Sequence, residues 1–343
     1  TYDSIAPQVT ISASSPTNAN PIVFSITFTE AVTGLGVGDI VVTGGTKGVL
    51  SGSGVNYSLP VTPTGPTVTA QVSASAAQDA TGNSNTASNI ASVTYDTTPP
   101  TVVVSSSSAS PTNISPISFL LTFSEPVNNL TANALSVTNG TASNLLAGGG
   151  NTYTVDVTPT ASGNVTLTVP DGVAQDDAGN GNTHTAANNT KTIVYDNSPP
   201  TVTLTGPSVT NASPYTVNVV FSESVTGLSA SDFSVSNGAA DNLQGSGTTY
   251  TVDITPASNT QVQVQLPAAS VIDVVGNQNL VSNTLTTTYD NTQPSTTITA
   301  PAAITNASPI TFTITFSESV TGLTATDIAV TNGTKGALSG SGA

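Results

Sequence analysis

Apolar and polar side chains alternate with a period of two along much of this chain. In one such run, Ile22, Phe24, Ile26 and Phe28 alternate with residues that are mainly Ser and Thr. Because successive side chains of a β-strand point to opposite faces of the sheet, the run predicts a strand with one face in a core and the other in water. No segment has the periodicity of an amphipathic helix. The other alternating runs are residues 57–61, 68–72, 117–123, 153–157, 165–169, 215–221, 250–254, 262–266 and 310–316.

The dipeptide Tyr-Asp, followed by a proline-bearing stretch, divides the chain into similar repeats, and consecutive tyrosines of this motif lie 93, 100 and 94 residues apart. We define repeat 1 as residues 1–96, repeat 2 as 97–196, repeat 3 as 197–290 and repeat 4 as 291–343. This period is too long for a solenoid repeat and fits a β-sandwich domain of about 100 residues. The motif occurs at Tyr2-Asp3, Tyr95-Asp96, Tyr195-Asp196 and Tyr289-Asp290.

Each repeat carries further landmarks in the same order. A Thr-Asn turn precedes a strand that ends on Phe-Ser-Glu or Phe-Thr-Glu, and an Asp-x-x-Gly-Asn loop follows later in repeats 1 to 3. We expect about seven strands per repeat and an all-β protein, built as tandem immunoglobulin-like β-sandwiches in a linear rod with stiff, proline-bearing joints. The turns are Thr17-Asn18, Thr112-Asn113, Thr210-Asn211 and Thr305-Asn306, the glutamates are Glu30, Glu125, Glu223 and Glu318, and the loops begin at Asp79, Asp176 and Asp273.

Repeat 4 contains the first landmarks of a repeat but not the later ones. Half a sandwich leaves apolar faces and strand edges unpaired. Two expectations follow, namely that the parent chain continues beyond residue 343 or that a neighbouring copy of the chain supplies the missing strands. Residues 1–3 match the end of a repeat, so we also expect a preceding repeat and a targeting signal outside this sequence.

The amino-acid composition excludes several classes of binding partner and site. The formal net charge is −16 at pH 7, with 19 acidic residues, three lysines and no arginine. Such a chain lacks the cations that bind nucleic acid or anionic lipid, and no apolar run approaches the ~20 residues of a membrane-spanning helix. The absence of cysteine excludes disulfides and thiolate sites. Small multivalent cations are the natural partners of this surface.

The strand order of a sandwich predicts where the acids lie. The glutamate opens the loop after the second strand, and the Asp-x-x-Gly-Asn loop lies at the same pole, where the first strand begins. Since the preceding Tyr-Asp leads into that strand, three acids converge on each joint between repeats. The predicted sets are Asp3, Glu30 and Asp79; Asp96, Glu125 and Asp176 or Asp177; Asp196, Glu223 and Asp273; and Asp290 with Glu318, with Asp39, Asp232 and Asp327 closing the loop that the glutamate opens.

Two interpretations of these acids stay open. Like charges repel, so a bound Ca²⁺, which takes 6–8 oxygen ligands, would explain their convergence and would stiffen the joints. Asn83, Asn180 and Asn277 could contribute side-chain oxygens. Alternatively, the acids are merely solvated, and duplication has copied one chance arrangement of acidic residues into every repeat.

The combined order of motifs resembles bacterial immunoglobulin-like repeats of giant surface adhesins and extracellular fibres. The motifs are Phe-Ser-Glu-x-Val-Thr-Gly-Leu, a downstream Asp, Asn-Gly, Asp-x-x-Gly-Asn and Tyr-Asp-x-x-Pro-Pro, and the resemblance covers essentially the whole chain. It implies a secreted, cell-surface stalk or fibre, often with calcium between domains. The chain departs from the antibody pattern in lacking its Cys and Trp core residues, and repeat 2 has Asn133-Ala134 where the other repeats have Asp.

The leading hypothesis is therefore a structural array, either an adhesin stalk or a filament shaft. Its partners would be neighbouring repeats or copies of the same chain, and a host or matrix ligand would bind outside these residues. The alternative is a module that itself recognises a glycan or a partner protein. We expect no enzymatic activity, because the single histidine, His184, occurs in one repeat without partners, and the paired carboxylates repeat at joints rather than lining a groove.

Overall fold

The computed structural model describes residues 3–184 and 186–343, so Tyr2 of the first Tyr-Asp motif lies outside the described residues. The all-β prediction is confirmed, because the only helices among these residues are single 3₁₀ turns. Ile22–Val32 is an example of a strand with the expected alternation of buried and exposed residues. The 3₁₀ helices are Val37–Asp39, Ala132–Ala134, Ala186–Asn189, Ala230–Asp232 and Ala325–Asp327.

Repeat 1 is a two-sheet sandwich of seven strands, as the alternation predicts. One sheet has four antiparallel strands in the order β1-β2-β5-β4, and the other has three in the order β3-β6-β7. Phe24 lies opposite Leu59 in the first sheet, and both side chains are completely buried between the sheets. The strands are β1 (Val9–Ser12), β2 (Ile22–Val32), β3 (Ile40–Thr43), β4 (Gly45–Lys47), β5 (Ser51–Pro63), β6 (Thr67–Val72) and β7 (Ala91–Thr94).

Repeat 2 has the same architecture. Its four-stranded sheet has the order β11-β12-β9-β8 and its three-stranded sheet the order β10-β13-β14. Phe119 and Val155 face each other across β9 and β12 and are fully buried, like Phe24 and Leu59. The strands are β8 (Val102–Ser105), β9 (Ile117–Phe123), β10 (Ser136–Thr138), β11 (Gly140–Gly149), β12 (Thr152–Pro159), β13 (Gly163–Thr168) and β14 (Thr190–Tyr195).

Repeat 3 is a variant of the same sandwich, with sheets β15-β17-β19 and β16-β21-β20-β18. Its β19 is one continuous strand of 19 residues that takes the place of two strands in repeats 1 and 2. Strand β16 pairs with β21 in parallel. The strands are β15 (Val202–Thr205), β16 (Val209–Thr210), β17 (Tyr215–Val225), β18 (Ser234–Ser236), β19 (Gly238–Pro256), β20 (Gln261–Gln265) and β21 (Leu285–Tyr289).

An aromatic pair stabilises each of these three sandwiches. Phe28 meets Tyr57 edge to face, with ring centroids 5.9 Å apart. The Tyr57 hydroxyl donates to the carbonyl of Val32 at 3.1 Å, so the partly buried phenol has a hydrogen-bond partner. The same arrangement joins Phe123 to Tyr153 and Phe221 to Tyr250.

Repeat 4 forms only one strand pair within the described residues, β22 (Thr296–Thr299) with β23 (Thr313–Phe316). The alternation over 310–316 predicts a buried face, but Phe312 is 55% exposed and Ile310 is 46% exposed. In repeat 1, strands of the second half cover this face. Repeat 4 has no such strands among the described residues, so its apolar side chains line an open groove.

The chain divides into two compact units, Thr1–Ser198 and Pro199–Ala343. Repeats 1 and 2 lie in the first unit, and nearly all of repeat 3 lies with repeat 4 in the second. In the part of the chain that the structure describes, no helix is long and apolar enough to cross a membrane.

Candidate functional site

The Asp-x-x-Gly-Asn loop of repeat 1 holds its aspartate in a fixed network. Asp79 is 7% exposed and accepts hydrogen bonds at Oδ1 from the backbone N–H groups of Thr81 and Asn83, at 2.8 and 2.9 Å. The Asn83 side-chain amide donates to Oδ2 at 2.8 Å. Gly82 turns the chain at φ +94°, in the left-handed region that favours glycine. The motif is therefore a self-contained loop that presents one carboxylate in one orientation.

The same loop recurs in repeats 2 and 3. Asp176 accepts from the backbone N–H and the side-chain amide of Asn180, both at 2.8 Å. Asp273 accepts from the same two groups of Asn277, at 2.9 and 2.8 Å. Both aspartates are buried. The three aspartates thus have one environment, set by the residue four positions further along the chain.

The loop asparagine also holds the segment that enters each repeat. The Asn83 amide donates to the carbonyl of Asp3 at 3.3 Å, and the Asn180 amide donates to the carbonyl of Asp96 at 3.0 Å. The aspartate of each of these two Tyr-Asp motifs is thereby held next to the loop of the sandwich that follows it. Asp96 is the last residue of repeat 1, so its carboxylate lies at the joint with repeat 2.

Three carboxylates meet at each of these two places in the first unit. The side chains of Asp3, Glu30 and Asp79 each offer an oxygen within 4.8 Å of the others. Asp96, Glu125 and Asp176 form an equivalent group at the joint between repeats 1 and 2. We call these two groups the acidic clusters. Sequence reasoning placed these residues together from strand order alone.

The acidic clusters concentrate negative charge. Burial, and then the charges of Asp79 and Asp3, raise the pKa of Glu30. Burial, and then the charges of Asp176 and Asp96, raise the pKa of Glu125. The surroundings of both glutamates thus disfavour their ionised form.

The loop aspartates respond differently. Burial by itself would raise the pKa of Asp79, but the hydrogen bonds that it accepts from Asn83 and Thr81 outweigh burial and lower its pKa to about 2. Hydrogen bonds from Asn277, Val275 and Gly276 likewise overcome burial and lower the pKa of Asp273. These two carboxylates are therefore anions at every physiological pH.

The remaining predicted acids belong to repeats 2, 3 and 4. In the second unit, Glu223 and Asp273 have carboxylate oxygens within 4.8 Å of each other. Asp196, in the first unit, accepts a hydrogen bond from the backbone of Ser198 at 3.0 Å. Asp290 accepts from the backbone of Thr292 at 2.9 Å, and no group of three acids within the described ranges includes Asp290 or Glu318.

Asp177 does not join the acidic cluster of repeat 2, although sequence reasoning could not choose between it and Asp176. Its carboxylate accepts a hydrogen bond from the side chain of Asn128 at 2.6 Å. Gln175 pairs with Asn128 through a β-bridge. Asp176 instead is held by Asn180 and joins the cluster.

Asp39, Asp232 and Asp327 have a local structural role instead of joining an acidic cluster. Each is the third residue of a 3₁₀ helix, and its carboxylate accepts a hydrogen bond from the backbone N–H that precedes the helix, at 2.7 to 2.9 Å. In repeats 3 and 4 the partner is Ser229 or Thr324. The spacing Ser/Thr-x-x-Asp resembles the capping box of helix N-termini and could have revealed this role.

His184 lies away from the acidic clusters, with its Nδ1 atom 2.7 Å from a carboxylate oxygen of Asp171. Both side chains are about half exposed. An exposed pair of this kind contributes little to stability.

The chemistry of the acidic clusters suits a hard, oxygen-loving cation. Each cluster supplies three carboxylates and no nitrogen or sulfur ligand, which is the donor set that Ca²⁺ prefers. Oδ1 of Asp79 already accepts hydrogen bonds from Thr81 and Asn83, whereas Oδ2 accepts one from Asn83. The remaining oxygens of a 6–8-coordinate ion would come from backbone carbonyls and water.

Two-sheet sandwiches in tandem, joined through short segments, define an immunoglobulin-like array. This chain belongs to the bacterial Ig-like domain family, whose model matches residues 3–95, 96–193, 196–289 and 290–343. The resemblance noted from the motifs is therefore confirmed. No curated protein matches the sequence.

Three solved structures that resemble this chain are distant from it in sequence. Invasin, described as a bacterial integrin-binding protein, is 13% identical with a TM-score of 0.35, over 87% of this chain and 62% of invasin. InvD of Yersinia pseudotuberculosis is 14% identical with a TM-score of 0.35, over 82% of this chain and 98% of InvD. The I9–I11 tandem of titin is 10% identical with a TM-score of 0.26, over 83% of this chain and 96% of the tandem. This chain thus spans less than two thirds of the invasin structure.

Proposed function

We propose that this chain is a structural segment of a bacterial cell-surface protein, an adhesin stalk or filament shaft, whose joints are stiffened by Ca²⁺ bound at the acidic clusters. In this proposal the array acts outside the cell, catalyses no reaction and has neighbouring repeats or copies of the same chain as its partners. The observation that carries it is the acidic cluster at the joint between repeats 1 and 2, which draws one carboxylate from the first repeat and two from the second.

The location of that cluster supports a mechanical role. Asp96 ends one sandwich, whereas Glu125 and Asp176 belong to the next, so an ion bound to all three would tie the two repeats together. Without an ion, the same three charges repel one another, and this repulsion adds to burial in raising the pKa of Glu125. Calcium would therefore act on the joint twice, by adding bonds and by removing repulsion.

The alternative function is a module that binds a glycan or a partner protein directly. The family match supports the structural role, because it assigns the same domain type to all four repeats. A spacer needs only to repeat, and the three complete sandwiches share their aromatic pair and their loop network.

The test is calorimetric unfolding of the full chain in EGTA and in about 10 mM CaCl₂. If extracellular modules set the scale, with Kd of about 10⁻⁴–10⁻³ M, calcium should stabilise the first unit by about 1.4–2.7 kcal/mol per site. Glu125→Gln should unfold at a higher temperature than the wild type in EGTA, because it removes repulsion, and should gain less from calcium.

Glu318→Gln is the matched control, because Glu318 occupies the same motif position in repeat 4 but belongs to no group of three acids among the described residues. It should leave the calcium response of the first unit unchanged. A wild-type chain whose unfolding does not respond to calcium would refute the proposal, and so would an undiminished response in Glu125→Gln.

A further inference from the structure

We propose that the Thr17-Asn18 turn of repeat 1 is a docking surface for the 176–180 loop of repeat 2, and that this contact fixes the joint without any metal. The inference concerns a different set of atoms from the acidic clusters and does not depend on calcium. Its partner is a neighbouring bacterial Ig-like repeat that carries an Asp-x-x-Gly-Asn loop.

Asn18 reaches across the joint with its backbone and its side chain. Its N–H donates to the carbonyl of Ala178 at 3.1 Å, and its side-chain amide donates to Oδ1 of Asn180 at 3.1 Å. Both acceptors belong to repeat 2. The side chain of Asn18 also lies over Gly179, where a Cβ atom would be 3.6 Å from the amide. One residue of repeat 1 thus contacts three consecutive residues of the loop.

The contact closes a ring of hydrogen bonds. The N–H of Asp96 donates to the carbonyl of Thr17 at 3.0 Å, and the carbonyl of Asp96 accepts from the Asn180 amide at 3.0 Å. The bond from Asn18 to Asn180 completes the ring. The turn of repeat 1, the last residue of repeat 1 and the loop of repeat 2 are therefore tied to one another, and none can move alone without breaking a bond.

The two sides of the contact are pre-ordered. The hydroxyl of Thr17 accepts the N–H of Ala19 at 3.1 Å, which holds the turn. Asn180 is 9% exposed, and its amide also donates to Asp176 at 2.8 Å. Neither partner has to be ordered on docking, so little conformational entropy is lost when they meet.

The bonds of this ring join uncharged amide and carbonyl groups, so no cation and no change of protonation is required. Connected domains with small polar interfaces are otherwise expected to move relative to each other. The ring opposes that motion directly. It also holds the loop that carries Asp176, so a cation at the acidic cluster would enter a joint that is already set.

The first half of the ring occurs in every complete repeat. Asp196 donates its N–H to the carbonyl of Thr112 at 2.8 Å, and Asp290 donates to Thr210 at 3.0 Å. In each case the residue that follows the threonine is an asparagine. The Thr-Asn turn therefore has two separable tasks, with the threonine tied to its own repeat and, at the joint between repeats 1 and 2, the asparagine directed to the next repeat.

Because the chain has no cysteine, two spin labels can be attached without side reactions. Thr62→Cys on β5 and Thr158→Cys on β12 place them at exposed positions of repeats 1 and 2. Distance distributions are measured by double electron–electron resonance on the full chain, in EGTA and in CaCl₂. In EGTA we expect one narrow distribution for the wild type and a distribution about twofold broader for Asn18→Ala.

Asn211→Ala is the matched control, because it removes the same motif residue from repeat 3 and should leave the width between repeats 1 and 2 unchanged. Asn18→Asp keeps the size of the side chain but replaces the donating amide by a carboxylate facing Oδ1 of Asn180, so it should broaden the distribution as well. Thermal unfolding of each variant is followed by the circular dichroism of its β-sheets. An unfolding temperature equal to that of the wild type would show that the variant keeps its sandwiches.

An Asn18→Ala distribution as narrow as that of the wild type in EGTA would overturn the inference. A wild-type distribution that is broad in EGTA and narrows only in calcium would also overturn it, while supporting the calcium proposal. Conversely, the wild-type distribution could be narrow both in EGTA and in CaCl₂ and become broader in Asn18→Ala. That result would support the inference and would refute calcium stiffening of this joint. The two proposals can thus fail separately.

Discussion

Repeats 1 and 4 share a pattern of alternating apolar and polar residues, but they differ in how far the apolar side chains are buried. The apolar residues 22, 24, 26 and 28 of repeat 1 correspond to 310, 312, 314 and 316 of repeat 4. Phe24 is completely buried, whereas its counterpart Phe312 is 55% exposed. In repeat 1, strands β5 to β7 complete both sheets. Alternation therefore specifies which face of a strand is apolar, but only strands from later in the repeat can bury that face.

Local structure is alike in the two repeats in spite of this difference. Asp39 accepts the N–H of Gly36 at 2.9 Å, and Asp327 accepts that of Thr324 at 2.8 Å. The Lys47 ammonium donates to the carbonyl of Val37 at 3.0 Å, as that of Lys335 does to Ala325 at 2.9 Å. Contacts within about ten residues of one another form in both repeats, and the core forms only where the sheets are complete.

The largest effect expected from this comparison is on the cores. Phe24→Ala should destabilise repeat 1 by about 3–5 kcal/mol, the usual cost of deleting a buried phenylalanine. Phe312→Ala should change stability by less than about 0.5 kcal/mol, because the side chain is already largely in water. Hydrogen exchange of the full chain, followed by mass spectrometry, measures protection separately for peptides of each repeat.

Repeats 2 and 3 serve as internal controls in that experiment, since their protection should not change in either variant. An equal loss of protection for the two substitutions would show that the face of repeat 4 is covered in solution. A small loss for Phe24→Ala would show that the core of repeat 1 can collapse around the deleted ring.

A second effect is acid dependence, which arises from the acidic cluster of repeat 1. In EGTA, the raised pKa of Glu30 means that the folded repeat binds more protons than the unfolded chain just above pH 4.5, so stability should rise as the pH falls from neutrality. Asp79 has the opposite sign. Its pKa of about 2 lies below the ordinary 3.8, so its contribution is lost as the pH falls through that interval.

Repeat 1 should therefore be most stable at about pH 4 in the absence of metal. Thermal unfolding between neutral and strongly acidic pH measures this profile. Glu30→Gln should abolish the gain on mild acidification and keep the loss at low pH. A profile for Glu30→Gln that matches the wild type would mean that neither burial nor the neighbouring carboxylates disfavour the ionised form of Glu30.

Much of this structure follows from short-range patterns in the sequence. Alternation predicts the strands, the spacing of Tyr-Asp predicts the sandwiches, and strand order brings Glu125 to the loop of Asp176. What sequence reasoning missed depends on contacts between distant residues. Asp177 bonds to Asn128, 49 positions away, whereas Asp176 joins the cluster, and the contact of Asn18 with Asn180 joins residues 162 positions apart. The 3₁₀ caps are the exception, since their Ser/Thr-x-x-Asp spacing is local and can be recognised in the sequence alone.

The smallest predicted effect extends the comparison of local structure to repeat 2. Its 3₁₀ helix, Ala132–Ala134, follows Thr131 and has Ala134 where repeats 3 and 4 have the capping aspartate, and no side chain caps it. Thr324 precedes the helix of repeat 4 and donates its N–H and hydroxyl to Asp327, at 2.8 and 2.7 Å. Because Thr131 offers the same two donors, Ala134→Asp should restore the cap and stabilise repeat 2 by about 0.5–1 kcal/mol.

Asn133→Asp is the matched control, because it adds the same charge one residue before the position that the capping aspartate occupies in the other repeats. Calorimetric unfolding of the full chain, with hydrogen exchange of repeat 2 as a local readout, distinguishes the two. Equal effects of the two variants would assign the change to net charge alone. A gain confined to Ala134→Asp would show that a single local contact, common to repeats with and without a complete core, contributes to stability independently of that core.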